Sequence, residues 1–395
     1  MVLENVKKYL LYFMLLENVA VQTSLFGAYS SIFFNLFLGL GLLFILTGEV
    51  FKANAVKTFL PLYILVGIYL FYGFTIGASY IDNRSLTYLA AKMTTFAIII
   101  TSVNSNYEFY ETKGLYHLAL FMCFFVMYGL ATGGLAEASI GRSTMGFTNS
   151  NTTSGMGAFI LGIVLFLTKK WNWKTIVITV IGLYAILAGG SRAGVLVAAI
   201  IIFMRYGISL KIIMMSFILV VTSLFVFPAI GLETVGVERM IDTVEGLEGT
   251  NRDVEREACL MMIREKPLMG WGFEAQNQGK ASVLSLLGSH NGYMETLKFM
   301  GIPIGGLWIA VYLLTVLRLY LKYRKYKLES DVYLAMLIAF TVNAYYEGLF
   351  VGVHEFATNL IFVAMTMTCK KLSIHESLNN RIIYYDKGNK NKRKF

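Results

Sequence analysis

Residues 29–47 read YSSIFFNLFLGLGLLFILT, nineteen positions without a charged side chain. A helix that crosses a bilayer needs about 20 mostly apolar residues, because the hydrocarbon core is roughly 30 Å thick. Runs of the same kind recur near 6–25, 58–77, 85–103, 114–133, 155–168, 174–190, 192–206, 210–230, 300–320, 331–349 and 355–369. Of 395 residues, 56% are hydrophobic and only 15% charged, whereas a soluble domain carries about 25% charged residues. The sequence therefore predicts an all-α, polytopic membrane protein with about 12 transmembrane helices and one long extracytoplasmic loop containing short helices. Four regions follow: an N-terminal bundle over 1–230, an extracytoplasmic loop over 231–299, C-terminal spans over 300–369 and a basic cytoplasmic tail over 370–395.

The formal charge of +10 takes its meaning from where the cations lie. Lys and Arg concentrate in alternate short loops and in the tail, while the short loops on the other side hold only Arg84, Arg142 and Arg192. That bias places both termini in the cytoplasm and the 231–299 loop outside. The basic tail then reads as a solvated end drawn to anionic lipid headgroups, with no nucleic-acid partner. Cys123, Cys259 and Cys369 lie in different segments without metal-site or disulfide spacing. The N-terminal stretch has no small-residue cleavage site and reads as a retained first helix.

Long polar loops in membrane proteins are more often functional than ornamental. Within this one, TNRDVEREACLMMIREKP (250–267) reads as a helix capped by Thr250 or Asn251, acidic early, basic late and stopped by Pro267. At 100° per residue, Val254, Ala258, Met261 and Met262 share an apolar face, with Arg252 and Arg256 on the opposite side.

Three stretches carry chemistry. In LAGGSRAGVLVAA, Ser191 and Arg192 interrupt two apolar runs, and an arginine at that depth is costly unless it pairs or lines a wet cavity. The alternative there is an arginine at a tight turn facing headgroups. The two flanking runs also read as a hairpin that does not fully cross. In SHNGYMETLKFMGIPIGG, His290 and Glu295 bracket a helix start, and histidine titrates near neutrality as a general base. Its alternative is a histidine that, with Asn291, caps the helix. In GRSTMGFTNSNTTSG, Arg142, Asn149 and Asn151 offer groups suited to sugar hydroxyls or phosphate, or simply cap the next helix.

The chain has no P-loop, no H-E-x-x-H, no G-x-S-x-G and no D-x-D pair, which disfavours a metal-dependent, nucleotide-handling enzyme. What remains is a set of outward arginines around a candidate base. Arginines hold phosphate by forked hydrogen bonds and can stabilise a departing diphosphate.

Taken in order, GFTNSNTTSGM, GGSRAGVLV, NRDVEREACLMMIREKPLMGWGF and SHNGYMETLKFMGIPIGG resemble the O-antigen ligase/polymerase superfamily of bacterial membrane glycosyltransferases over about residues 130–310. The family's arginine ahead of a P-L-x-G-x-G stretch falls on Arg252, before Pro267, Gly270 and Gly272, and Arg256 stands where an aromatic commonly follows. Its serine-arginine and histidine-asparagine pairs fall on Ser191–Arg192 and His290–Asn291.

The resemblance implies metal-independent, inverting transfer of a glycan from a polyprenyl-diphosphate carrier to an acceptor sugar hydroxyl, with no cofactor. His290, Arg192, Arg252 and Glu295 are the catalytic candidates; Arg256, Asn291, Ser191, Asn151, Arg142, Tyr293 and Trp271 are the substrate-binding ones. The expected partners are lipid-linked donor and acceptor, membrane lipids, a flippase and chain-length regulators. A repeat-unit polymerase is the first expectation and a ligase to a terminal envelope acceptor the second. A lipid-linked sugar transporter is the rival class, for which Lys92, Asn35 and Asn343 are the few mid-membrane polar candidates.

Overall fold

The computed structural model describes residues 2–23, 25–76, 83–132, 144–209, 214, 251–273, 290–353 and 355–392. The 210–230 span and most of the 231–299 loop, with Arg142, lie outside the described residues. Among the described residues every regular element is helical, apart from an isolated bridge between Thr23 and Phe147.

In chain order the helices are α1 (Val2–Ala20), α2 (Ser30–Leu46), α3 (Ala53–Thr58), α4 (Leu60–Phe74), α5 (Asn83–Ser105), α6 (Tyr107–Glu111) and α7 (Lys113–Ala131). They continue as α8 (Ser150–Leu167), α9 (Trp173–Gly189), α10 (Arg192–Tyr206), α11 (Asn251–Glu265), α12 (Gly292–Lys325), α13 (Val332–Asn343) and α14 (Phe356–Lys392). Five of the described stretches are long and apolar enough to cross a membrane: Gly27–Leu46, Ser85–Ser105, Lys113–Ala131, Ser150–Leu167 and Gly292–Lys325. Shorter apolar helices are α4, α9 and α13. The apolar face of α12 left outward, Leu307, Leu314, Leu317 and Leu321, is spaced by seven, three and four residues, the stripe a lipid-facing helix presents.

Several expected spans take a different form. The 58–77 run divides at Phe59 into α3 and α4, because Pro61 in the first turn of α4 has no N–H to continue the preceding helix. The 300–320 run belongs to a longer helix, α12, broken at Gly301 (φ 74°, ψ 168°), so a short helix over 292–300 leads into the spanning one. The 331–349 run stops being helical at Asn343 and becomes an irregular connector over 344–353. The helix of the last run carries on through the basic residues to Lys392. At about 1.5 Å per residue, the 17 and 15 residues of α9 and α10 reach only about 25 and 22 Å, short of a roughly 30 Å core.

The connector explains where polar backbone can exist at this depth. Non-helical backbone inside a membrane protein must find its hydrogen bonds within the protein. Lys92, buried on α5, supplies them: its Nζ donates to the carbonyls of Phe350 (2.8 Å) and Gly352 (2.6 Å), and the Tyr88 hydroxyl donates to Val351 O (2.7 Å). Lys92 is thus a strut for the connector, and Asn35 is exposed on α2. Below the connector, Trp308 stacks on Tyr312 (5.6 Å between centroids) and meets Phe350 (5.3 Å), anchoring it to α12.

The ends of the helices are sorted by α1. Asn359 in the first turn of α14 donates to the side chain of Asn18 (2.6 Å), and Thr148 N–H, just before α8, donates to Gln22 O (2.8 Å). The starts of α8 and α14, and the connector that precedes α14, therefore share one end of the bundle. The α10 start joins them, because Ser191 N–H donates to Ser154 Oγ on α8 (3.1 Å).

Replacing Lys92 by Met should free the connector: two charge-assisted bonds are lost, and destabilisation on the order of 3 kcal/mol is expected. A thermal unfolding midpoint in detergent equal to that of the unaltered chain would contradict this role.

Candidate functional site

Two groups of residues gather at that shared end. The first is built on the start of α12. Asn291 caps it, its side-chain oxygen accepting from the N–H groups of Tyr293 (3.0 Å) and Met294 (3.1 Å). Gly292 N–H donates to Ala344 O (2.7 Å) and Glu347 O (3.0 Å), and a side chain at Gly292 would collide with Leu349 O. Only glycine lets the connector lie this close. His290, in the left-handed region at φ 45°, is turned toward two carboxylates. Its Nε2 lies 3.6 Å from Glu255 Oε2 on α11, and its Nδ1 3.7 Å from Glu347 Oε2 on the connector. The imidazole is 40% exposed and the carboxylates 17% and 18%, so the histidine is open to a ligand while its partners are shielded.

Arg256, one residue along α11, stands 5.2 Å from the centre of the Tyr345 ring. Its Nε is buried and has no hydrogen-bond partner among the described residues. This orientation corrects the helix face expected from sequence. Ala258, Cys259, Met262 and Ile263 are the buried residues, whereas Val254 and Met261 are exposed, and Arg256 faces the protein. The reason is spacing: Arg256, Cys259 and Ile263 fall at i, i+3 and i+7, a stripe that Cys259 and Ile263 draw inward. Position 252 lies one turn earlier on α11; its side chain is outside the described residues.

The turn after α11 holds it in place. Gly270 (φ 67°) passes so close to Phe299 O that no side chain fits there. Trp271 N–H donates to Lys298 O (2.9 Å) and Gly272 N–H to Phe299 O (3.0 Å), docking the turn on the break in α12. The Tyr72 hydroxyl donates to Met269 O (2.8 Å) and Phe299 O (2.7 Å) across the same junction. Trp271, a substrate-binding candidate, donates its indole N–H to Met262 O (2.8 Å), a carbonyl in the last turn of α11, with Lys266 over its ring at 4.0 Å.

Glu295 also differs from expectation. It is buried against Lys298, one turn on, as an ion pair. Tyr293 is half-buried and donates its hydroxyl to Thr341 O (2.7 Å), tying α12 to α13.

The second group surrounds Arg192. Gly190 in the left-handed region (φ 59°) ends α9, Ser191 caps α10 by accepting from Gly194 N–H (3.4 Å), and Arg192 is the first residue of α10. A side chain at Gly189 or Gly194 would run into Ser154, so this turn rests on the first turns of α8. There Asn149 is the cap, accepting from Asn151 N–H (2.8 Å). Arg192 and Asn151 are both half-buried. The starts of α8, α10 and α12 thus open at one end, each with the partial positive charge of a helix N-terminus.

Residues 175–309 match a family model described as O-antigen ligase. The match takes in Ser191, Arg192, α11 with Arg252 and Arg256, and the His290–Glu295 stretch. That match supports a place in the O-antigen ligase/polymerase superfamily. No curated protein matches the chain. The match and the apolar helices together suggest a membrane protein, and the match supports activity of the O-antigen ligase/polymerase type. Sequence reasoning missed Glu255, Tyr345 and Glu347 as site residues. The signal for Glu347 was present, since it is a carboxylate inside the apolar 331–349 run, where a charge is a functional flag by default.

Lys298→Met removes the cation of a buried ion pair and should cost about 3–5 kcal/mol, while Lys298→Met with Glu295→Leu should recover most of it. Equal midpoints for the single and double variants would refute the pairing.

Proposed function

We propose that this member of the superfamily is a repeat-unit polymerase, which moves a glycan from polyprenyl diphosphate to the hydroxyl of a second lipid-linked unit on the outer side of the bacterial cytoplasmic membrane. The observation that carries the reading is His290 flanked by Glu255 and Glu347 at the bundle end where Ser191 and Arg192 open α10. The loop charge bias supports the outward orientation.

In this scheme the acceptor hydroxyl oxygen attacks the anomeric carbon as its proton passes to the His290 imidazole. Glu255 and Glu347 stabilise the imidazolium, the supporting role expected of Glu295. The bond from the anomeric carbon to the diphosphate oxygen breaks, and the lipid diphosphate leaves with the electron pair. Arg192, Arg252 and Arg256 receive its charge, helped by the helix N-termini. One displacement inverts the anomeric centre. Distances of 3.6 and 3.7 Å around His290 suit a resting site whose hydrogen bonds shorten on substrate binding. A flippase and chain-length regulators would act beside it as partners.

The family model's description favours a second reading, in which the same chemistry delivers a finished glycan to a terminal envelope acceptor. Purified protein given lipid-linked repeats alone distinguishes the two. A ladder of lengthening products supports the polymerase; product only after a separate acceptor is added supports the ligase. Lipid-linked sugar crossing sealed vesicles with no new glycosidic bond would overturn both in favour of a transporter.

Arg192→Ala and Arg252→Ala should each slow transfer by about 10²–10³ while the protein remains in the membrane, the usual cost of one transition-state charge contact. Wild-type rates in both would remove the phosphate site. Transfer is also expected to persist in EDTA; complete loss that a divalent ion restores would contradict the metal-free scheme.

A further inference from the structure

The far end of α12 encloses a cavity that transfer chemistry does not use. It measures about 690 Å³ and lies between the α3–α4 corner, the last turns of α12 and the middle of α14. Its charged lining is Lys57, Arg318, Lys322 and Glu376, three cations against one carboxylate. Lys322 is engaged with Glu376 (2.7 Å). Lys57 makes no ion pair or hydrogen bond among the described residues, and Arg318 has no carboxylate within ion-pair distance there. Two positive charges are thus available to an anion.

The walls say which kind of anion. Along α4 and α12, running from the cations toward the middle of the bundle, Leu60, Ile64 and Leu314 line the cavity and remain 50%, 44% and 64% exposed. A free phosphate has no use for such a wall, whereas an amphiphile does. Arg318 lies seven residues before the end of α12, about 10 Å at 1.5 Å per residue, a depth from which a guanidinium reaches the headgroup layer. This end also carries Lys52, Lys169 and Lys170 in its loops and Lys113 at the start of α7, the pattern of a cytoplasmic face. The volume falls within the range of small-ligand sites.

We propose that this cavity is a binding site for an anionic phospholipid of the cytoplasmic leaflet, its phosphate on Arg318 and Lys57 and one acyl chain along Leu60, Ile64 and Leu314. The site is independent of the transfer reading, since it is separated from the start of the spanning part of α12 by roughly 25 Å, 17 residues from Gly301 to Arg318.

The test uses delipidated full-length protein in detergent, titrated with phosphatidylglycerol or phosphatidylcholine and followed by native mass spectrometry and thermal unfolding. The unaltered chain should retain phosphatidylglycerol about tenfold better and gain thermal stability from it. Lys57→Glu with Arg318→Glu should abolish that preference while the lipid-free midpoint stays the same, and Lys57→Gln with Arg318→Gln serves if charge reversal disturbs folding. Equal retention of the two lipids by the unaltered chain overturns the proposal, as does an undiminished preference in both double variants. Release of phosphatidylglycerol by millimolar inorganic phosphate marks a site for a soluble anion and overturns it too.

Discussion

The arrangement depends on a short connector, residues 344–353, being held as irregular backbone among apolar helices. Its peptide groups have no helix to satisfy them, and leaving them unpaired at that depth costs several kcal/mol each. Lys92 and Tyr88 from α5 take the carbonyls of Phe350, Val351 and Gly352, and Gly292 N–H takes those of Ala344 and Glu347. That solution does more than stabilise the segment. It sets Tyr345 and Glu347 against the start of α12, where His290 emerges, and so couples a folding requirement to the geometry of the site.

The second support is the docking of the turn after α11 on the break in α12. Gly270 and Gly301 both occupy left-handed backbone, and each passes too close to the opposing chain for a side chain. With Trp271 closing the last turn of α11, this junction fixes the helix that brings Glu255 and Arg256 to His290. The P-L-x-G-x-G stretch is therefore architectural, and the chemistry it enables lies on the helix before it.

Much of this was legible in the residues. The apolar runs gave a helical membrane protein, and Asn251–Glu265 is helical and ends before Pro267, as the stop signal required. The ordered motifs pointed to the superfamily that the family match supports. The re-entrant details were not legible, because hydropathy averages over windows and cannot tell a continuous helix from one broken at Gly301 or one that ends at Asn343. The carboxylates that flank His290 were not legible either. The true neighbours of His290 are 35 residues before it and 57 after it in the chain, and only tertiary packing brings them together.

The most direct test of the central claim is a double-mutant cycle on the glycan transfer rate, using His290→Ala and Glu347→Gln. If Glu347 acts through the imidazole, the double variant should be no slower than His290→Ala alone. Fully additive losses would mean that the two side chains act separately, and the connector would then have no part in the chemistry.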